Sequence, residues 1–85
     1  MSRVVNVRKE DIQFVQYAIY ENPSDYPGRF VLRKWVVVRG NPNPLASPFP
    51  TCIATTIEVC RNAIPPGMVM IKPKGGDPSI VEEWI

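Results

Sequence analysis

Apolar residues in this chain gather into short runs separated by proline and glycine. The first clear run, Gln13-Phe14-Val15-Gln16-Tyr17-Ala18-Ile19-Tyr20, is rich in aromatic and β-branched residues and stops at Asn22-Pro23. That composition predicts a strand, with a helix as the competing reading because Ile12, Val15 and Ile19 also recur at helical spacing. Asn22-Pro23-Ser24-Asp25-Tyr26-Pro27-Gly28 concentrates turn formers and predicts a chain reversal into an antiparallel partner. The partner is residues 29–39, the strongest strand pattern in the sequence. Phe30, Leu32, Val36 and Val38 share one side with Lys34; Val31, Arg33, Trp35, Val37 and Arg39 share the other. The first side is the better core candidate.

Beyond Gly40, four prolines fall within residues 41–50, and the 40–50 segment is expected to be an irregular surface loop. Thr55-Thr56-Ile57-Glu58 matches a capping box, in which a threonine hydroxyl and a glutamate three residues on satisfy the free amides of a helix start. The helix is placed at about 56–64. Ile57, Cys60, Ala63 and Ile64 form its apolar stripe, and Pro65-Pro66-Gly67 ends it. So short a helix is marginal alone and must lean on a sheet. Residues 67–72 read as a third strand, 73–78 as a loop and 80–85 as a fourth strand. The predicted fold is α+β, a two-layer ββαββ domain: an antiparallel sheet with one short helix on one face. It forms a single domain over residues 1–85, in which 1–11 is an arm, mobile or adding an edge strand.

Certain residues then resemble a known group. They are Tyr20-Glu21-Asn22-Pro23-Ser24-Asp25-Tyr26-Pro27, then Phe30-Val31, Arg33 and Trp35, then Ala63-Ile64-Pro65-Pro66-Gly67, then Asp77-Pro78, Ile80-Val81-Glu82 and Trp84. Together they are similar to a family of short uncharacterised bacterial and phage-borne proteins with a like hairpin, helix and tryptophan-bearing tail. The resemblance spans roughly residues 17–85. It implies the fold and carries no activity with it. The chain departs from the family pattern in its proline-rich 40–50 loop and in a helix with fewer charges.

Composition adds mainly exclusions. With 85 residues, 45% hydrophobic and 21% charged, the chain suits one thin core. A net charge of +2 is too small to imply a polyanionic partner. No apolar run reaches the length of a membrane span and the first residues lack a signal-peptide core, so a cytoplasmic location without membrane contact is the default expectation. The two cysteines, Cys52 and Cys60, are expected to be free thiols. On one shared helix they would stand roughly 12 Å apart, beyond disulfide reach. Cys60, on the apolar stripe, reads as a small buried hydrophobe.

No candidate catalytic centre emerges. The chain has no histidine, the commonest general base and metal ligand. Two cysteines lack the further ligands of a zinc site, and Gly75-Gly76-Asp77 lacks the lysine and hydroxyl residue of a phosphate loop. Neither an enzyme activity nor a cofactor is expected.

What remains is one sheet face. With Phe30, Leu32, Val36 and Val38 turned to the helix, alternation sends Val81 and Ile85 inward and places Arg33, Trp35, Glu82 and Trp84 together on an uncovered surface. Tryptophan and arginine are over-represented at interface hot spots, and an exposed apolar patch rimmed by charge marks a contact site. The competing reading inverts the faces, with Trp35 and Trp84 in the core and Arg33 paired to Glu82 at its rim. The leading functional expectation is therefore a protein-interaction module, self-associating as a homodimer or meeting another protein. The alternative is nucleic-acid binding by Arg29, Arg33, Lys34 and Arg39 with Tyr17, Tyr20 and Trp35 as stacking surfaces.

Overall fold

A computed structural model describes residues 8–73 and 75–85. Six antiparallel strands and one helix follow in the order β1 (Ile12–Glu21), β2 (Phe30–Val38), β3 (Leu45–Ala46), β4 (Cys52–Ala54), α1 (Ile57–Asn62), β5 (Met70–Ile71) and β6 (Ile80–Trp84). The sheet order is β3-β2-β1-β6-β5, with β4 also paired to β2. The expected α+β architecture, an antiparallel sheet with one short helix on one face, is thus the observed one. Of the arm expected over 1–11, residues 1–7 lie outside the described residues, and Lys9–Asp11 makes a single 3-10 turn. Among the described residues no helix is long and apolar enough to cross a membrane.

The central hairpin follows from its loop chemistry. Asn22 takes a positive φ of 52° and Gly28 one of 74°, a region open to glycine and tolerated by asparagine. The Asn22 amide donates to the Arg29 carbonyl at 2.8 Å, and its side-chain oxygen accepts from the Gly28 amide at 2.7 Å. These bonds close the reversal and set a register in which Ile19 faces Leu32, Ala18 faces Arg33 and Tyr17 faces Lys34.

Two expectations need correction here. The 40–50 segment is not wholly irregular, because Leu45 and Ala46 pair with Val36 and Trp35. Proline is compatible with a sheet edge, where its missing N–H leaves no gap in a ladder, so two residues between Pro44 and Pro48 suffice for a short edge strand. The sequence reading also missed β4, whose Cys52, Ile53 and Ala54 oppose Leu32, Val31 and Phe30. Because β4 runs to Ala54, the helix starts later than the capping-box reading requires. Thr56 is the N-cap, without a side-chain capping bond, and Glu58 sits at the second helical position rather than the third.

The core lies between α1 and the sheet. Ile19, Leu32 and Cys60 are fully buried, Tyr17 joins them, and Val15, Phe30, Cys52, Ile57, Ile64, Met68 and Trp84 pack around them. Ile57, Cys60 and Ile64 of the expected stripe meet the Phe30/Leu32 face, whereas Ala63 is exposed and, like Ile64, lies past the helix end at Asn62. Burial of the apolar core side chains is the main stabilising contribution. At its end α1 tightens, with Ala63 and Ile64 amides donating to the Cys60 and Arg61 carbonyls, an i to i−3 pattern common in last turns.

A candidate interaction face

The two sides of the sheet are chemically different, and register decides which side chain stands where. On the helix side, Tyr17 lies opposite Trp84 and Ile19 opposite Glu82. The expectation that Glu82 and Trp84 share a surface with Arg33 and Trp35 is therefore corrected. Trp84 packs against the core, and Glu82 is 6% exposed. Of the inverted reading, the placement of Trp84 in the core holds, but Trp35 stays on the other side and Arg33 bonds to Ser47 and Asp25 rather than Glu82. The reason is a bulge in β6: Glu82 faces Ile19, yet Ile80 rather than Val81 faces Tyr20, and this shift of one residue also re-aims Val81. Val81 and Ile85, expected inward, are exposed.

Glu82 survives burial because its carboxylate is fully engaged. The Arg61 guanidinium donates to both oxygens, its Nε at 2.9 Å from Oε2 and 3.2 Å from Oε1, with a further bond from a terminal nitrogen. The Trp84 indole N–H adds a bond at 3.0 Å. The bonds from Arg61, with that from Trp84, hold its carboxyl below the usual carboxylate range against the opposing effect of burial. This cluster clamps α1 to β6 and serves the fold.

The helix-free side carries Gln16, Ala18 and Tyr20 of β1 beside Trp35, Arg33 and Val31 of β2. A groove of about 680 Å³ opens there. Tyr20, Val31, Arg33 and Trp35 contribute to its lining with the hairpin loop at 22–25, Ala46, Asp77 and Ser79. A second depression, lined by Gln16, Ala18, Ile80 and Glu83, shares Trp35 with the first, which makes this indole the ridge of the surface. The indole lies beside the Tyr20 phenol in the groove, and burial raises the pKa of that phenol.

Arg33 is fixed rather than free. It donates to the Ser47 carbonyl at 3.1 Å and meets the Asp25 carboxylate at 3.4 Å, so it ties the hairpin loop to the segment after β3. Asp77 accepts from the Ser79 hydroxyl at 2.6 Å and amide at 2.9 Å, which holds its carboxyl below the ordinary range. Gln16 donates to Glu83 at 3.0 Å. Around the polar floor stand apolar side chains: Phe14 and Ile53 lie 50% and 45% exposed, on the side of Trp35 and Val31 respectively by their register. Val69 and Ile85 exchange backbone bonds at 2.8 and 2.9 Å and extend the same side, two residues beyond Glu83.

Of the four residues expected together, Arg33 and Trp35 meet in this groove. Asp25 and Asp77 were not foreseen as parts of it, and Tyr20 was placed beside Arg33 and Trp35 only in the nucleic-acid alternative. Tyr20 was legible in principle, since it has the parity of Ala18 and Gln16 along β1; nothing in the sequence says which loop carboxylate reaches Arg33. Of the groups considered for stacking and charge contact with nucleic acid, Tyr17 and Lys34 fall on the helix side, opposite Tyr20, Arg33 and Trp35. Among the described residues no three histidine, cysteine, aspartate or glutamate side chains gather as a metal site.

No protein-family model matches the chain, nor does any curated protein or solved structure.

Proposed function

We propose that this protein is a non-catalytic interaction module whose helix-free sheet face pairs with a second copy of the same chain. One observation carries the reading. A prefixed Trp35–Tyr20–Arg33 groove is flanked on the same face by exposed Phe14, Ile53, Val69 and Ile85. Aromatic and arginine anchors surrounded by apolar side chains are the composition of an interface centre. The bonds of Arg33 to Ser47 and Asp25 hold it in place before any partner arrives, which lowers the ordering cost of association.

A second copy suits this face because a two-fold pairing lets one surface serve both partners. The groove also holds charges of both signs, Arg33 against Asp25 and Asp77, so two copies can oppose unlike charges across the axis. Edge-to-edge pairing is the poorer route, because β3 and β5, which close the sheet at either end, have two residues each and offer little ladder to extend.

Size-exclusion chromatography with light scattering at tens of micromolar tests the proposal. The expected result is a dimer that Phe14→Asp or Ile85→Asp converts to a folded monomer. A monomeric wild-type chain at that concentration would remove self-association, and a dimer indifferent to both substitutions would place the interface elsewhere.

A further inference from the structure

The two cysteines stand in different elements, and the fold brings their sulfurs together. Cys52 lies on β4 opposite Leu32, so its side chain stands on the helix-facing side of the sheet. Cys60 descends from α1 onto the same place. Its Sγ donates to the Phe30 carbonyl at 3.5 Å, and both side chains belong to the packing around Leu32. The two thiols face the same core cluster close enough to influence each other's titration, and burial together with the Cys52 thiol pushes Cys60 up to about 12. The expectation that their spacing forbids a bond assumed one shared helix. That premise fails, because the chain turns between them at Thr55–Thr56 and folds α1 back over β4.

We propose that Cys52 and Cys60 form an intramolecular dithiol site that a small disulfide of the glutathione type converts to a Cys52–Cys60 bond. Cys52 is half-buried and Cys60 wholly buried, which sets the order of events. The Cys52 thiolate attacks one sulfur of the small disulfide, forms a mixed disulfide and expels one small thiolate. The Cys60 sulfur then attacks the Cys52 sulfur, expels the second small thiolate and closes the bond. The protein gives up two protons and two electrons, and the oxidant ends as two thiols. Because the second step is internal, Cys60 needs no exposure to solvent. The high pKa of Cys60 slows that step, since the thiolate is the nucleophile. The product would fasten α1 to β4 covalently where packing alone now joins them.

The full chain, folded and reduced, is incubated with oxidised glutathione, quenched in acid and followed by intact mass and peptide mapping. The expected wild-type product has lost two hydrogens, retains no glutathione and yields one peptide pair linking Cys52 to Cys60. Cys60→Ser should stop at a stable glutathione adduct on Cys52, whereas Cys52→Ser should take up none while native. A wild-type adduct that persists on Cys52 with the Cys60 thiol free would overturn the proposal. So would cross-links between chains, or a native protein left unmodified under conditions that oxidise the urea-unfolded chain. The wild-type map decides the matter even where a serine variant fails to fold.

Discussion

The two faces of this sheet are built from the same strands, yet they satisfy opposite requirements. On the covered face, Ile19, Leu32 and Cys60 lose all contact with solvent, and the one buried carboxylate, Glu82, is fully bonded by Arg61 and Trp84. Polar groups there are tolerated only when completely satisfied. On the helix-free face Arg33 bonds to Asp25 and to the Ser47 carbonyl beside Tyr20 and Trp35 in an open groove, while large apolar side chains remain exposed at its flanks. The contrast teaches that a tryptophan's role here depends on its face rather than its type. Trp84 completes a core; Trp35 forms the ridge of a surface.

The sharpest way to test this contrast is to truncate one large apolar side chain on each side. Leu32→Ala is expected to lower stability by about 2 to 5 kcal/mol, the range for truncating a buried leucine, as read by urea unfolding. Phe14→Ser on the open side should change it by no more than about 0.5 kcal/mol, as at ordinary surface positions. Comparable losses would erase the distinction between the faces.

The two tryptophans give the next comparison. Trp84→Ala should cost about 3 kcal/mol, the low end for a tryptophan truncation because the ring is only partly covered, without changing the association of the folded protein. Trp35→Ala should cost about 1 kcal/mol and weaken dimerisation measured by sedimentation. The reverse assignment of effects would move the interface to the helix side.

Acid addresses the covered face through Glu82. Its carboxyl has a folded-state pKa below its ordinary value of 4.5, so its contribution to stability is present above pH 4.5 and is lost as the pH falls through the depressed value. Melting temperature should decline over that acid range more steeply in the wild type than in Glu82→Gln, whose melting at neutral pH should already be lower. Equal slopes would show that the Arg61–Glu82 cluster has no part in the acid response.

The smallest effect expected is at the groove. Asp25→Ala removes a carboxylate that is 59% exposed from its pair with Arg33, and such exposed pairs contribute about 0.2 to 1 kcal/mol. Chemical unfolding should therefore barely shift, while association, if the groove is its centre, should respond more. A loss of several kcal/mol in stability would mean that the hairpin loop holds the fold rather than the surface.

The sequence alone determined the hairpin and which of its residues share a side. Turn formers at 22–28 and strict alternation along Phe30, Leu32 and Arg33 fix register and parity locally, because the side-chain period of a strand is two, while the tertiary structure decided which side the helix covers. It also determined the helix and its buried stripe at Ile57, Cys60 and Ile64, since helical spacing and Pro65-Pro66-Gly67 act within a few residues. Tertiary structure decided what depends on contacts distant in the chain. The short strands β3 and β4 exist because β2 offers them a ladder, not because of their own propensity. The bulge that sends Glu82 and Trp84 to the core arises where β6 meets β1, far from any local signal. The meeting of Cys52 with Cys60, and of Arg33 with Asp25 and Ser47, followed from folding the helix and loops back on one strand, a long-range geometry that no local pattern encodes.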